Sequence, residues 1–178
     1  PEDAGGLGQG MSELMAVLEA QGRSLALVPL WEHQLAAAVV ARFGAPSLAA
    51  RALPAAVEGG AMWTVSFAAL ADVRGPSLTV ARHGSGWRLQ GRVSAVPLAG
   101  ESAAAVLAAQ GPQGPCLVWL ELSRPGVQQV PGTTQHHLAV ADLVLSGLDL
   151  PEDAVLGEGA WAWLEPRAIA ALASLQVG

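Results

Sequence analysis

At Met62 the spacing of apolar residues changes from three and four to two, so the chain must join a helical layer to a sheet. Upstream, Met11, Leu14, Met15 and Leu18 share one face of a helix over residues 9–21, with Gly22 as its stop. Leu30, Trp31, Leu35, Val39 and Phe43 repeat the helical period up to Gly44, and Pro29 suits the first turn. Ser47 is placed to cap a short third helix, and Leu53-Pro54 to begin a fourth that ends at Gly59-Gly60. The first 60 residues therefore read as helical.

Downstream, Trp63, Val65 and Phe67 alternate with Thr64 and Ser66, the pattern of a strand with one face buried. Residues 78–82 and 87–93 flank His83-Gly84-Ser85-Gly86 and read as a hairpin. Further strands are predicted near 103–109, 116–122, 127–130 and 138–146, with Gly111 to Pro115 as a loop. Residues 152–157 cross back to Trp161, after which Leu164, Ala168, Leu172 and Leu175 restore a helical period. The fold class is α+β: part of a helical bundle, an antiparallel β-barrel or sandwich, and the start of a further helix. The predicted domains are 1–60, 61–158 and 159–178.

Composition excludes several function classes. With 52% hydrophobic residues the chain can fill a core, yet no run long enough to span a bilayer lacks a charge, Pro or Gly. The net charge of -6 sets 15 acids against 9 scattered Arg residues, which argues against nucleic acid as a partner. No signal peptide is visible. Cys116, the single cysteine, sits in the apolar run Cys116-Leu117-Val118-Trp119-Leu120 and reads as a core residue of a reducing compartment, which predicts a cytoplasmic protein.

Several motifs carry less than they promise. Gly6-Leu7-Gly8-Gln9-Gly10 follows no strand, so it is a shaped loop and not a dinucleotide fingerprint. His136 and His137, adjacent on an extended chain, point to opposite faces, and no metal site is predicted. Glu101, Glu158 and Glu165 are read as solvated, and no Ser has a His and an Asp to make a triad, so no catalytic residue is assigned. Trp63, Trp87 and Trp119 are read as core. Trp161 and Trp163 are left for a surface where more helix packs.

The opening Pro1-Glu2-Asp3-Ala4-Gly5-Gly6-Leu7-Gly8, the helix ending Glu19-Ala20-Gln21-Gly22-Arg23, Leu53-Pro54 before Gly60, Gly86-Trp87-Arg88-Leu89-Gln90-Gly91, Ala141 to Gly147 and Val155-Leu156-Gly157 recur in order. Together they resemble the acyl-CoA dehydrogenase family over residues 1–178. The resemblance implies a flavoprotein of fatty acid metabolism that desaturates an acyl-CoA thioester between its α and β carbons, with FAD as hydride acceptor. It also implies a homo- or hetero-oligomer and an electron-transfer acceptor protein. In the family the catalytic base stands on a C-terminal helical domain, so the chain is expected to be incomplete and to lack it.

Carried across by position, the resemblance assigns the flavin to Phe67, Ala68, Ala69, Val96 and Pro97. Many members read Ala-Leu-Thr-Glu-Pro followed by Ala-Gly-Ser-Asp; here stand Phe67-Ala68-Ala69-Leu70 and a shorter loop, Ala71 to Pro76. The Thr hydroxyl and the Glu are missing. Where members have Lys, an aromatic and Thr, this chain has Val93-Ser94-Ala95-Val96-Pro97, as in a subgroup with Val-Pro. Backbone amides survive such substitutions, so Ala68 and Ala69 remain able to meet the pyrimidine edge, whereas Pro97 has no N–H to give. These departures motivate an alternative: a non-catalytic partner subunit or acyl-CoA-binding member of the fold.

Overall fold

A computed structural model describes residue 2, residues 5–71 and residues 73–178. Pro1, Asp3 and Ala4 of the opening segment, and Asp72 of the shortened loop, lie outside the described residues. Three helices, α1 (Met11–Arg23), α2 (Leu30–Phe43) and α3 (Pro46–Val57), precede the sheet. Its strands are β1 (Trp63–Ser66), β2 (Leu78–His83), β3 (Gly86–Pro97), β4 (Ala104–Gly111), β5 (Gly114–Glu121), β6 (Val127–Thr133) and β7 (Ala139–Leu150). A 3-10 turn, Glu152–Ala154, leads to α4 (Ala160–Val177).

The sheet turns on β4. One edge pairs antiparallel with β5 from Ala104↔Glu121 to Gly111↔Gly114. The other pairs parallel with β1 from Trp63↔Ala104 to Ser66↔Leu107, then meets β2 at Thr79↔Gln110. Beyond β2 the order continues through β3, β7 and β6, all antiparallel. The expected antiparallel sheet is thus a curled mixed one. Its parallel pairs arise because the β2–β3 hairpin, inserted between β1 and β4, returns the chain in the same direction.

Ala104 to Ala109 are all buried, and their alternation divides two cores. Ala104, Val106 and Ala108 join Trp63, Val65, Leu117 and Trp119 beneath the helices. Ala105, Leu107 and Ala109 face Leu78, Leu89, Val93 and Leu143 from β2, β3 and β7. A strand covered on both faces needs apolar residues at every position, which this segment supplies. β1 is covered in the same way: Thr64 and Ser66 are as buried as Trp63 and Val65, so the expected one-sided burial is corrected. Trp63 and Trp119 meet edge to face, with centroids 6.0 Å apart.

Other local readings also change. Gly22 lies inside α1, which ends at Ser24, whose Oγ donates to the carbonyls of Ala20 and Gln21. Gly22 instead lets α1 approach α4, for a Cβ there would overlap the carbonyl oxygen of Leu175. The two short helices expected over 47–59 are one, with Pro54 inside; the missing N–H orphans the carbonyl of exposed Ala50, which water can satisfy. Ser47 caps nothing: its hydroxyl donates to Asp153 at 2.7 Å, beside the Arg51 ion pair to the same carboxylate oxygen at 2.9 Å. Gly111 to Pro115 is a tight hairpin with Gly111 opposite Gly114. Trp87 is half-buried at the rim, with Arg82 3.9 Å over its ring.

Candidate functional site

Where β1 leaves the sheet, Phe67-Ala68-Ala69-Leu70-Ala71 makes two successive turns. The Leu70 amide donates to the Phe67 carbonyl at 3.0 Å and the Ala71 amide to the Ala68 carbonyl at 3.2 Å. Ser77 closes the loop, its amide and hydroxyl donating to the Ala69 carbonyl at 2.9 and 3.4 Å. The Ala68 amide reaches only the Ser66 hydroxyl, at 3.4 Å. The amide of fully buried Ala69 has no acceptor among the described residues. Ala68 is exposed, so its weakly engaged amide is the one in this loop that an acceptor from outside the chain can reach.

The second predicted segment ends β3 and is aimed by a bulge. Val93 opposes Leu143 and Val96 opposes Ala141, so Ser94 and Ala95 together face the single residue Asp142. Ala95 takes a left-handed conformation with φ 51°, and its amide donates to Asp142 Oδ1 at 2.8 Å. Arg92 binds the other oxygen, and these donors hold the Asp142 carboxyl below the usual carboxylate range. The bulge turns Val96 inward, where it is fully buried in the same cluster as Ala69, while Pro97 is half-buried opposite Val140.

The five predicted residues therefore divide. Ala69 and Val96 share one core cluster, Ala68 is exposed, and Phe67 belongs to the helical side. There Phe67 meets Trp161 of α4 edge to face, with centroids 5.6 Å apart. No side chain among the five carries a hydrogen-bonding group, so polar recognition here belongs to the backbone.

The remaining candidates separate clearly. Glu101, Glu158 and Glu165 are exposed, as expected. His136 and His137 lie in the β6–β7 turn, His137 at φ 62°, and not on an extended strand. Among the described residues no three His, Cys, Asp or Glu side chains group as a metal site requires. Cys116 is half-buried, and burial pushes its thiol up to about 11. Glu32 is the buried carboxylate, only 6% exposed, and desolvation raises its pKa to about 7. Beside it the neutral His33 ring accepts from the Trp63 amide at 3.1 Å and donates to the Ala56 carbonyl at 3.2 Å. This places His33 at the start of β1, whereas Phe67 lies four residues along, roughly 13 Å away.

No protein-family model matches the chain. Acyl-CoA dehydrogenase FadE27 of Mycobacterium tuberculosis is 34% identical over 148 residues, 83% of this chain and 39% of that protein. A variant of the Tcur3481–Tcur3483 steroid ACAD has 34% identity and a TM-score of 0.89, over 99% of this chain and 48% of that one. The chain belongs to the acyl-CoA dehydrogenase family. The ChsE4–ChsE5 complex of Mycobacterium tuberculosis agrees at 30% identity and a TM-score of 0.90, again over 99% of this chain and 48% of that one. This member of the family spans about half the length of the solved relatives that it matches.

Sequence reasoning did not connect Ser77, Trp161 or Asp142 with these two candidate segments. Only Trp161 had a legible signal, as a large aromatic at the start of an amphipathic segment. The partners of Ser77 and Asp142 follow from tertiary register. Glu32 was detectable in principle, since it precedes Leu35, Ala36 and Val39 by three, four and seven positions on one apolar face.

Proposed function

We propose that this chain supplies the N-terminal helices and central sheet of a flavin-dependent acyl-CoA dehydrogenase. The observation that carries the reading is the exposed, weakly engaged amide of Ala68, in the loop after β1 to which the family resemblance assigns the flavin. FAD, when bound, supplies the acceptor for the hydride that leaves the β carbon of the acyl thioester. The chain's own groups bind and orient. The Ala68 amide would donate to an acceptor atom on the ring edge, while Ala69 and Val96 belong to the apolar core behind the loop. Pro97 contributes shape and a carbonyl, having no amide hydrogen.

Deprotonation of the α carbon requires a base close to the bound thioester. Glu101, Glu158 and Glu165 face solvent, and Glu32 is buried in the first turn of α2. We therefore place the base outside these 178 residues, on further sequence or on a partner subunit. An acyl-CoA substrate, an oligomeric assembly, an electron-transfer acceptor protein and a cytoplasmic setting complete the proposal. No described helix is long and apolar enough to cross a membrane.

A second reading, a partner subunit that keeps the fold without catalysing, is favoured by the all-apolar loop Phe67 to Ala71. The two are separated by purifying the full-length protein, recording its visible absorbance and assaying acyl-CoA oxidation with an artificial electron acceptor. The first predicts bound flavin and turnover. Flavin-free, inactive protein after FAD loading would favour the second.

A further inference from the structure

The loop Phe67 to Ala71 has no polar side chain, so its shape depends on anchors from elsewhere. Ser77 fixes it from the sheet side through the Ala69 carbonyl. From the helical side the anchor is Trp161, whose ring meets Phe67 at 5.6 Å with an interplanar angle of 72°, the edge-to-face geometry that aromatic quadrupoles favour. Both rings are half-buried against the helical core, so the contact is only partly exposed to competition from water. Phe67 immediately precedes Ala68, and a ring held on one side restrains the backbone that carries the weakly engaged Ala68 amide.

We propose that Trp161 is a positioning residue for the flavin: it holds Phe67, and through Phe67 the exposed Ala68 amide, in the geometry that receives the ring edge. This rests on the flavin reading given above. In this chain a packing contact from α4 thus fixes the loop where the family pattern has polar side chains. Because α4 begins just after the crossing segment, the cofactor loop is tied to the helical layer as well as to the sheet.

The test uses the full-length protein with Trp161→Ala, Trp161→Phe and Phe67→Leu, read by hydrogen exchange at Leu70 and Ala71 and by FAD titration. Trp161→Ala and Phe67→Leu are expected to speed exchange at those two amides at least about fivefold and to weaken FAD binding about tenfold. Trp161→Phe, which keeps an aromatic edge, is expected to restore both. Phe67→Leu keeps apolar bulk and serves if Trp161→Ala does not fold. Unchanged exchange, or unchanged FAD affinity in a folded variant, would overturn the positioning role. So would failure of Trp161→Phe to restore either readout. If wild-type protein takes up no FAD, the flavin reading fails; exchange alone then shows whether Trp161 anchors the loop.

Discussion

Replacing Glu32 by Gln should remove a pH-dependent weakness of the helical layer. Glu32 lies in the first turn of α2, is 6% exposed, and shares its face with Leu35, Ala36 and Val39. Desolvation raises its pKa to about 7 from the ordinary 4.5, while its own backbone amide pulls the other way. The sign follows from linkage. A carboxyl that binds its proton more tightly in the folded state costs nothing well below pH 4.5, costs progressively more as pH rises, and costs its full amount above pH 7. A shift of that size corresponds to about 3 kcal/mol at high pH, of which about 2 kcal/mol develops between pH 5.5 and 8.5. His33 titrates nearby with a pKa lowered by burial, which opposes this trend, so the informative quantity is the difference between variant and wild type. Urea denaturation at the two pH values should show Glu32→Gln gaining about 2 kcal/mol more over wild type at pH 8.5 than at pH 5.5. An equal gain at both values would refute the reasoning.

Other perturbations probe the sheet and the thiol. Gly91 has φ 132° and no room for a Cβ beside the Ser77 carbonyl, so Gly91→Ala should cost at least about 2 kcal/mol in denaturant titration. Ala95→Gly should stabilise by about 0.5–1 kcal/mol, because Ala95 occupies the left-handed region at the bulge. Asp142→Ala, which removes the acceptor for the Ala95 amide and the Arg92 partner, should destabilise by about 1–2 kcal/mol. Cys116 should react with a disulfide reagent at pH 8 far more slowly than an unfolded thiol, and unfolding should abolish the difference.

The helices and strands were legible because their apolar periods are clean: Met11 to Leu18 and Leu30 to Phe43 each match an observed helix. Errors arose where a local signal competes with packing. Gly22 resembles a helix stop but serves the close approach of α1 and α4, and Ser47 resembles a cap but binds an acid more than 100 residues away. The parallel pairing of β1 with β4 depends on the insertion between them, which no window around either strand contains. For the candidate site, the sequence nominated both segments through resemblance. It did not reveal that Val96 turns inward, that Trp161 reaches Phe67, or that Ser77 closes the loop through the Ala69 carbonyl. Each of these depends on register and on contacts between distant elements.

The most direct test of the account is the absorbance of the purified full-length protein, assembled with any partner subunit that it requires and loaded with FAD. Retained flavin absorbance that bleaches without oxygen on addition of an acyl-CoA is the predicted result. Protein that folds and assembles but retains no flavin would contradict it.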